Sequence, residues 1–242
     1  MLIIGAVVVA VVTIASFATF YEAPSCTDGT QNQDEAGIDC GGSCPYLCTA
    51  NEQPPTVLFT KAFQNVPGRT DVIAEVENKN AAAAKSVPYR LTLYGTGQSL
   101  IQQVTGTLDL PPGAKVPIYV PGITSGKQSV TSAFLQIDAD APRWFLLPND
   151  PRVLPTVSNT TLSVSTSSPR VDAVLTNPSV SALTNVRVIV LVHDITGEVI
   201  AASQTIVPSI PAQGRATATF TWNSAFSTTP TAIEVVPVIP LP

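Results

Sequence analysis

Between residues 53 and 242, apolar residues alternate with polar ones in short runs that Gly, Pro and Asn separate. Residues 89–101, YRLTLYGTGQSLI, place two such runs around Gly95-Thr96-Gly97. Residues 186–200, VRVIVLVHDITGEVI, have the same arrangement around Thr196-Gly197. Alternation with a period of two is typical of β-strands, and a glycine-containing turn between two strands predicts a hairpin. The pattern therefore predicts a mainly β chain with two central hairpins.

The second half of this region repeats the first. Residues 71–80 resemble the stretch 171–180 when the two are aligned with an offset of 99 residues, which matches Asn78 with Asn177. Strand patterns separated by Gly and Pro turns, repeated with a period of about 100 residues, are typical of tandem sandwich domains. The sequence predicts two tandem immunoglobulin-like β-sandwiches, residues 53–147 and residues 148–242.

Residues 1–21 carry no charged side chain. As a helix they would extend about 30 Å, the thickness of a bilayer's hydrocarbon core. We expect an N-terminal transmembrane helix over residues 1–22, with residues 1–21 as the membrane contact. A cleaved secretory signal is an alternative, but no basic residue flanks the segment and its apolar run is longer than a signal needs. A pilin-like helix is another alternative, but Pro24 would end the helix before it reached the length of a pilin stalk.

Composition narrows the range of functions. Charged residues make up 12% of the chain, and the net charge is −5, which leaves few side chains for acid, base or phosphate chemistry. No cluster of Lys or Arg is present, so the sequence predicts no nucleic-acid partner. Residues 1–60 contain six acids and no base. The negative charge is therefore concentrated next to the predicted membrane segment.

All four cysteines lie within residues 26–48, and we call residues 23–52 the cysteine-rich segment. The cysteines are Cys26, Cys40, Cys44 and Cys48. Their spacing does not form the paired C-x2-C knuckles of a zinc ribbon, and two disulfides are the better interpretation. The three possible pairings stay open. Disulfides persist outside the reducing cytosol, so the region after the predicted helix is expected to be extracytoplasmic.

Hard oxygen ligands are crowded between the first two cysteines, in a loop that contains glycines. Such ligands suit Ca²⁺, which binds six to eight oxygens. The candidate ligands are Asp28, Asn32, Glu35 and Asp39. Two alternatives stay open: the Asp and Asn side chains could form structural turns, or the cysteines could hold zinc.

Residues 26–44 fit the pattern C-x-D-G-x-x-N-x-x-E-x-x-x-D-C-G-G-x-C. With one apolar segment before it and two β-domains after it, this pattern resembles uncharacterised single-pass membrane proteins of candidate-phyla (Patescibacteria-type) bacteria. Residues 70–110 and 170–215 also resemble FxLYD-type bacterial immunoglobulin-like domains. The resemblance implies an architecture and a location in the cell envelope, and it implies no activity.

The sequence shows no recognisable catalytic apparatus. The only histidine, His193, lies in an apolar strand and is followed by Asp194. No G-x-S-x-G, Walker A or H-E-x-x-H motif is present. We therefore expect a protein that is not an enzyme.

A proline-rich linker, residues 141–155, joins the two predicted sandwiches and contains Trp144 and Phe145. These aromatic residues are candidates for contact with a partner protein, and the alternative is that they fill the boundary between the domains.

Together these features predict a membrane-anchored, extracytoplasmic structural or protein-interaction protein that presents two β-sandwich domains at the cell envelope. Its partner would be another protein or a further copy of itself. Two alternatives from other classes stay open. One is a subunit of a pilus or surface filament with the N-terminal helix packed in its core, and the other is an accessory module of an extracytoplasmic enzyme.

Overall fold

The chain divides into two compact units, residues 1–51 and residues 52–242. A computed structural model describes residues 5, 12, 13, 16, 25–32, 34–66, 68–138, 142–163 and 168–242, with the side chain of Asn65 left out. The predicted transmembrane helix lies outside the described residues except for Gly5, Val12, Thr13 and Ser16, which are helical. Among the described residues, no helix has both the length and the apolar character needed to cross a membrane.

The prediction of a mainly β chain is confirmed. The described residues contain two short 3-10 helices, Thr49–Asn51 and Thr96–Gln98, and twelve strands. The first six strands are β1 Thr56–Val66, β2 Arg69–Glu77, β3 Ala84–Tyr94, β4 Leu100–Leu110, β5 Lys115–Thr124 and β6 Ser132–Ile137. The second six are β7 Thr156–Ser163, β8 Arg170–Thr176, β9 Leu183–His193, β10 Val199–Ile210, β11 Arg215–Thr221 and β12 Ala232–Val238.

The strands form four antiparallel sheets of three strands each. Residues 53–147, here called the first β-module, contain sheets β1-β2-β5 and β4-β3-β6. Residues 148–242, the second β-module, contain sheets β7-β8-β11 and β10-β9-β12. Each strand of the first module thus has a counterpart six strands later in the same place in its sheet. Both predicted hairpins are present, as β3–β4 and β9–β10.

The two sheets of the second module share one apolar core. Its buried side chains come from both sheets: Val171, Leu175, Val186, Val188, Val190, Val192, Ala201, Val207, Ile210, Ala218, Phe220 and Trp222. On β9 the even-numbered residues from Val186 to Val192 point into this core, as the two-residue period of a strand requires. Burial of these side chains is the main stabilising contribution to the module.

A buried asparagine lies at the same place in each module. Asn78 follows β2 and is 1% exposed, and its Nδ2 donates to the carbonyls of Ala82 (2.8 Å) and Pro111 (2.7 Å). Its Oδ1 accepts from the backbone N–H of Asn80 at 2.9 Å. The side chain therefore joins the loop before β3 to the turn between β4 and β5.

Asn177, after β8, repeats these contacts and is fully buried. Its Nδ2 donates to the carbonyls of Ser181 (2.8 Å) and Pro211 (3.0 Å), and its Oδ1 accepts from Ser179 N–H (2.9 Å). The two asparagines that match in the sequence, Asn78 and Asn177, therefore make the same hydrogen bonds in the two modules.

The two modules pack against each other through a second apolar cluster. Ile73 of β2 lies there with Ile189 and Leu191 of β9 and with Val199 and Ala202 of β10. The partly buried side chains around them are Phe59, Phe63, Tyr119, Val236 and Val238. The outer face of sheet β1-β2-β5 thus covers the outer face of sheet β10-β9-β12. This interface makes the two modules one compact unit.

Polar contacts reinforce the interface at its ends. The Lys61 ammonium of β1 pairs with the Glu198 carboxylate and donates to the Val199 carbonyl, 3.1 Å away. Near the end of the chain, Leu241 N–H donates to Asp109 Oδ2 at 2.8 Å, and Leu241 is 3% exposed. These bonds join strands β1 and β4 of the first module to segments of the second.

We predict that Asn177→Ala lowers the free energy of unfolding by about 2–4 kcal/mol, because it leaves buried carbonyls without a donor. Chemical denaturation of the full chain in mild detergent, followed by tryptophan fluorescence, measures the change. Asn223→Ala is the matched control, because Asn223 is exposed, and it should change stability little. Equal stabilities for the two variants would contradict the role given to Asn177.

Candidate functional site

The cysteine-rich segment contains two disulfides, which confirms that prediction. Cys26 is bonded to Cys44 and Cys40 to Cys48, over sequence separations of 18 and 8 residues. The two disulfide loops overlap, because Cys40 lies within the loop closed by Cys26–Cys44 and Cys44 lies within the loop closed by Cys40–Cys48. A segment this short cannot bury a large apolar core, so its fold is stabilised largely by the disulfides. The four sulfurs are therefore not available as thiolates, and the zinc alternative is wrong.

Two of the predicted calcium ligands, Asp28 and Asp39, hold the turns of this segment. Asp39 accepts hydrogen bonds from the backbone N–H groups of Asp28 (3.0 Å) and Gly29 (3.0 Å), which ties the start of the loop to its end. Asp28 Oδ1 accepts from the backbone N–H of Thr30 (2.9 Å) and from its hydroxyl (2.8 Å). These are the structural turns of the alternative interpretation.

The hydrogen bonds from Thr30 and Asn32 lower the pKa of Asp28 to about 2. Its carboxylate is therefore charged at any pH above strongly acidic conditions. Asp34, exposed on the same segment, has its pKa lowered chiefly by a hydrogen bond from the Ser43 hydroxyl (2.8 Å). The segment keeps this negative charge without a basic side chain, because residues 1–60 contain none.

The other two candidate ligands lie deeper. Glu35 is 8% exposed, and its Oε1 lies 2.9 Å from Cys44 Sγ. Its Oε2 accepts from Asn32 N–H at 3.2 Å. The Asn32 amide nitrogen donates to Asp28 Oδ2 at 2.8 Å, while Asn32 Oδ1 is buried with no hydrogen-bond partner among the described residues. The four candidates therefore form one hydrogen-bonded network with a single unused buried acceptor.

The structure places Trp144 in the interior rather than on a surface. Trp144 is 1% exposed, and the adjacent Phe145 is partly buried. Phe145 exchanges two backbone hydrogen bonds of 2.8 Å with Ala83, just before β3. The start of the linker is therefore bound to the first module, and the Trp144 ring is not available to a partner protein.

His193 belongs to the hairpin between β9 and β10. Its Nδ1 lies 3.2 Å from the Gly197 carbonyl, and its Nε2 lies 3.6 Å from the Glu234 carboxylate of β12. Asp194 Oδ1 accepts a hydrogen bond from the Thr196 hydroxyl (2.6 Å), and this bond is the main reason why the pKa of Asp194 is lowered. Both side chains therefore hold the turn.

An open cleft of about 630 Å³ lies between the two modules. It is bordered by β1, by the start of β6 and by the β9–β10 turn, and its charged residues are Lys61, Asp194 and Glu198. Phe134 lies on its wall, 60% exposed, and makes an edge-to-face contact with Tyr94. Sequence reasoning missed this cleft because the packing of one module on the other creates it.

No protein-family model matches this chain, and no curated protein matches it in sequence. Among solved structures, it is similar to the crystal structure of red sea bream transglutaminase, with 14% identity and a TM-score of 0.22. The similarity covers 76% of this chain and 29% of the transglutaminase chain, so it spans less than a third of that protein. A TM-score this low supports no statement about fold or activity.

We predict that non-reduced protein contains the pairs Cys26–Cys44 and Cys40–Cys48. Cleavage before Asp39 and after Tyr46 should give three peptides that remain linked, because the middle peptide holds both Cys40 and Cys44. Fragmentation of the middle peptide between these two cysteines then assigns each partner by mass spectrometry.

Either of the other two pairings would contradict the structure. A linked Cys26–Cys48 pair would release the middle peptide with an internal disulfide, and a Cys26–Cys40 pair would reverse the fragment masses.

Proposed function

We propose that this chain is a membrane-anchored, extracytoplasmic structural and protein-interaction protein. Residues 1–21 would anchor it, and the two β-modules would be presented at the cell envelope. The observation that carries the proposal is the pair of disulfides within residues 26–48, which directly follow the uncharged segment. Disulfides of this kind persist in oxidising compartments, so they favour a location outside the cytosol. The resemblance of residues 26–44 to candidate-phyla membrane proteins remains a prediction that agrees with it.

The two β-modules would be immunoglobulin-like domains. Two features support this fold. Each module has two antiparallel sheets of three strands, and the chain passes from one sheet to the other after β2 and after β8. Domains of that type commonly present loops and edges for protein contacts rather than a catalytic centre. The boundaries proposed for them are residues 53–147 and 148–242.

Binding or bracing, rather than catalysis, is the activity that these contacts favour. The single histidine and the adjacent Asp194 are used in a hairpin turn. Asp172 is paired with Arg170 at 2.7 Å and accepts from the Thr219 hydroxyl at 2.6 Å, and both contacts lie on a sheet surface. The apolar interface between the modules would give a rigid body, and a rigid body loses less conformational entropy when it binds a partner.

The proposed topology is tested with two reporters fused after Pro242 in a Gram-negative host. Alkaline phosphatase needs disulfides and is active only outside the cytoplasm, whereas green fluorescent protein reports a cytoplasmic location. We expect an active phosphatase fusion and a dark fluorescent one. Deletion of residues 1–22 should abolish phosphatase activity. A fluorescent fusion with inactive phosphatase would refute the proposed location.

We also propose that the cysteine-rich segment binds Ca²⁺ through Asp28, Asn32, Glu35 and Asp39. The support is the buried Oδ1 of Asn32, which has no hydrogen-bond partner among the described residues and lies inside a network of carboxyl groups. To bind the ion, Asp28 and Asp39 would share their oxygens between it and the backbone N–H groups that they now accept from.

Isothermal titration with CaCl₂ tests this proposal, at concentrations above the ~10⁻⁴–10⁻³ M dissociation constants typical of extracellular modules. We expect binding heat from the full chain and its loss in Asn32→Ala, because the substitution removes one ligand oxygen. Asn223→Ala is the control and should bind like the parent protein. Absence of heat from the parent protein at these concentrations would contradict calcium binding.

A further inference from the structure

Strand β4 lies at the edge of its sheet. In sheet β4-β3-β6 it pairs with β3 alone, over residues Leu100–Leu110. Alternate residues of an edge strand direct their N–H and C=O groups away from the sheet, where another strand can bind them. Among the described residues, no strand pairs with β4 on that side.

The central part of β4 is regular and uncharged. Register shifts in the β3–β4 pairing fall only at its two ends, between Ala84 and Val87 and between Leu93 and Tyr94. The seven residues between them, Gln102–Leu108, read QQVTGTL and contain no charge and no proline. The side chains of Gln103, Thr105 and Thr107 are exposed. This is a regular, uncharged strand edge of the kind that natural proteins usually block.

Several of the other edge strands contain a proline, which cannot donate to a neighbouring strand. Strand β5 contains Pro117, and β12 contains Pro237. The comparison with β10 is the most informative, because β10 is the counterpart of β4 in the second module. It contains Pro208, and its Val199 is buried against the first module.

The remaining edges in the described chain are interrupted in other ways. Strand β1 contains Lys61 and has two register shifts against β2, and β7 has a shift between Ser158 and Thr161. Strand β11 begins with Arg215, and β6 has only six residues, with Leu135 N–H donating to the Thr60 hydroxyl of β1 at 3.3 Å. Strand β4 also has two register shifts and a charged residue, Asp109, but they lie outside Gln102–Leu108, so these seven residues contain no such interruption.

We propose that two copies of this chain associate through β4, which pairs antiparallel with the β4 of a second copy about a two-fold axis near Thr105. Sheets β4-β3-β6 of the two copies would then form one continuous six-stranded sheet. The interface is isologous, as in most homodimers. The proposal does not depend on the membrane location proposed above.

A second copy is the occupant that the residues favour. With the axis at Thr105, Thr105 meets Thr105, Gln103 meets Thr107, and Val104 meets Gly106. Pairs of hydroxyl and amide side chains stabilise adjacent strands, and like charges opposite each other would destabilise them. Because Gln102–Leu108 is uncharged, two identical strands meet without such repulsion. Seven paired residues form a small interface, so the dimer is expected to be weak and concentration-dependent.

The test is sedimentation equilibrium of the full chain in detergent micelles over a wide range of protein concentration. We expect a dimer whose dissociation constant rises roughly fivefold or more in Thr105→Lys, because two ammonium groups then lie opposite each other. Asn223→Lys adds the same charge at an exposed loop position and should leave the dimer unchanged. Any association through residues 1–21 would be the same in both variants.

Cysteine cross-linking gives a second readout that does not depend on the stability of the lysine variant. With copper phenanthroline as the oxidant, Thr105→Cys should form a disulfide-linked dimer, whereas Asn223→Cys should not. A parent protein that stays monomeric, or a dimer that Thr105→Lys leaves unaffected, would overturn the proposal. A cross-link from Thr105→Cys in cells to a different protein, without a homodimer, would also overturn it in favour of strand addition by that protein.

Discussion

Each β-module depends on a buried asparagine amide that satisfies backbone carbonyls where the chain passes from one sheet to the other. Such a passage leaves carbonyl groups inside the protein, and an unpaired buried carbonyl costs about as much as a lost hydrogen bond. Asn78 and Asn177 each donate to carbonyls of two different loops. Only a side-chain amide can donate twice and also accept from the backbone two residues on. The facing sheets can therefore pack on an apolar core without leaving polar groups unpaired at this end.

The arrangement of the two modules follows from a second apolar face. In an isolated sandwich, the outer face of each sheet meets water and carries polar side chains. Here β9 is buried on both faces, with Val188 and Val190 in the core of its own module and Ile189 and Leu191 against the first module. The two modules therefore act as one body of residues 52–242. That body leaves the edge of β4 and a cleft between the modules as its distinctive surfaces.

The cysteine-rich segment is built on a different principle. Among its described residues only Glu35 and Cys44 are buried, so this part of the chain has almost no apolar interior. Two overlapping disulfides restrict its unfolded chain, and carboxylates such as Asp39 hold backbone N–H groups in turns. The resulting high density of carboxylate oxygens is what makes calcium binding worth testing there.

The sequence by itself determined the strands, the two hairpins, the matching of Asn78 with Asn177 and the presence of two disulfides. Each of these depends on local signals, namely alternation, turn glycines and the spacing of cysteines along the chain. The pairing of the cysteines, the burial of Trp144 and the packing of one module on the other were decided only by the tertiary structure.

The unbroken apolar run from Val188 to Val192 was the one sequence signal of that packing, since a strand with one face in water would alternate. It shows that both faces of β9 are buried, but not what covers the second face. The local sequence cannot identify the covering surface, because Ile73 and Phe59 lie more than 100 residues from β9 along the chain and contact it only through the tertiary packing of the modules.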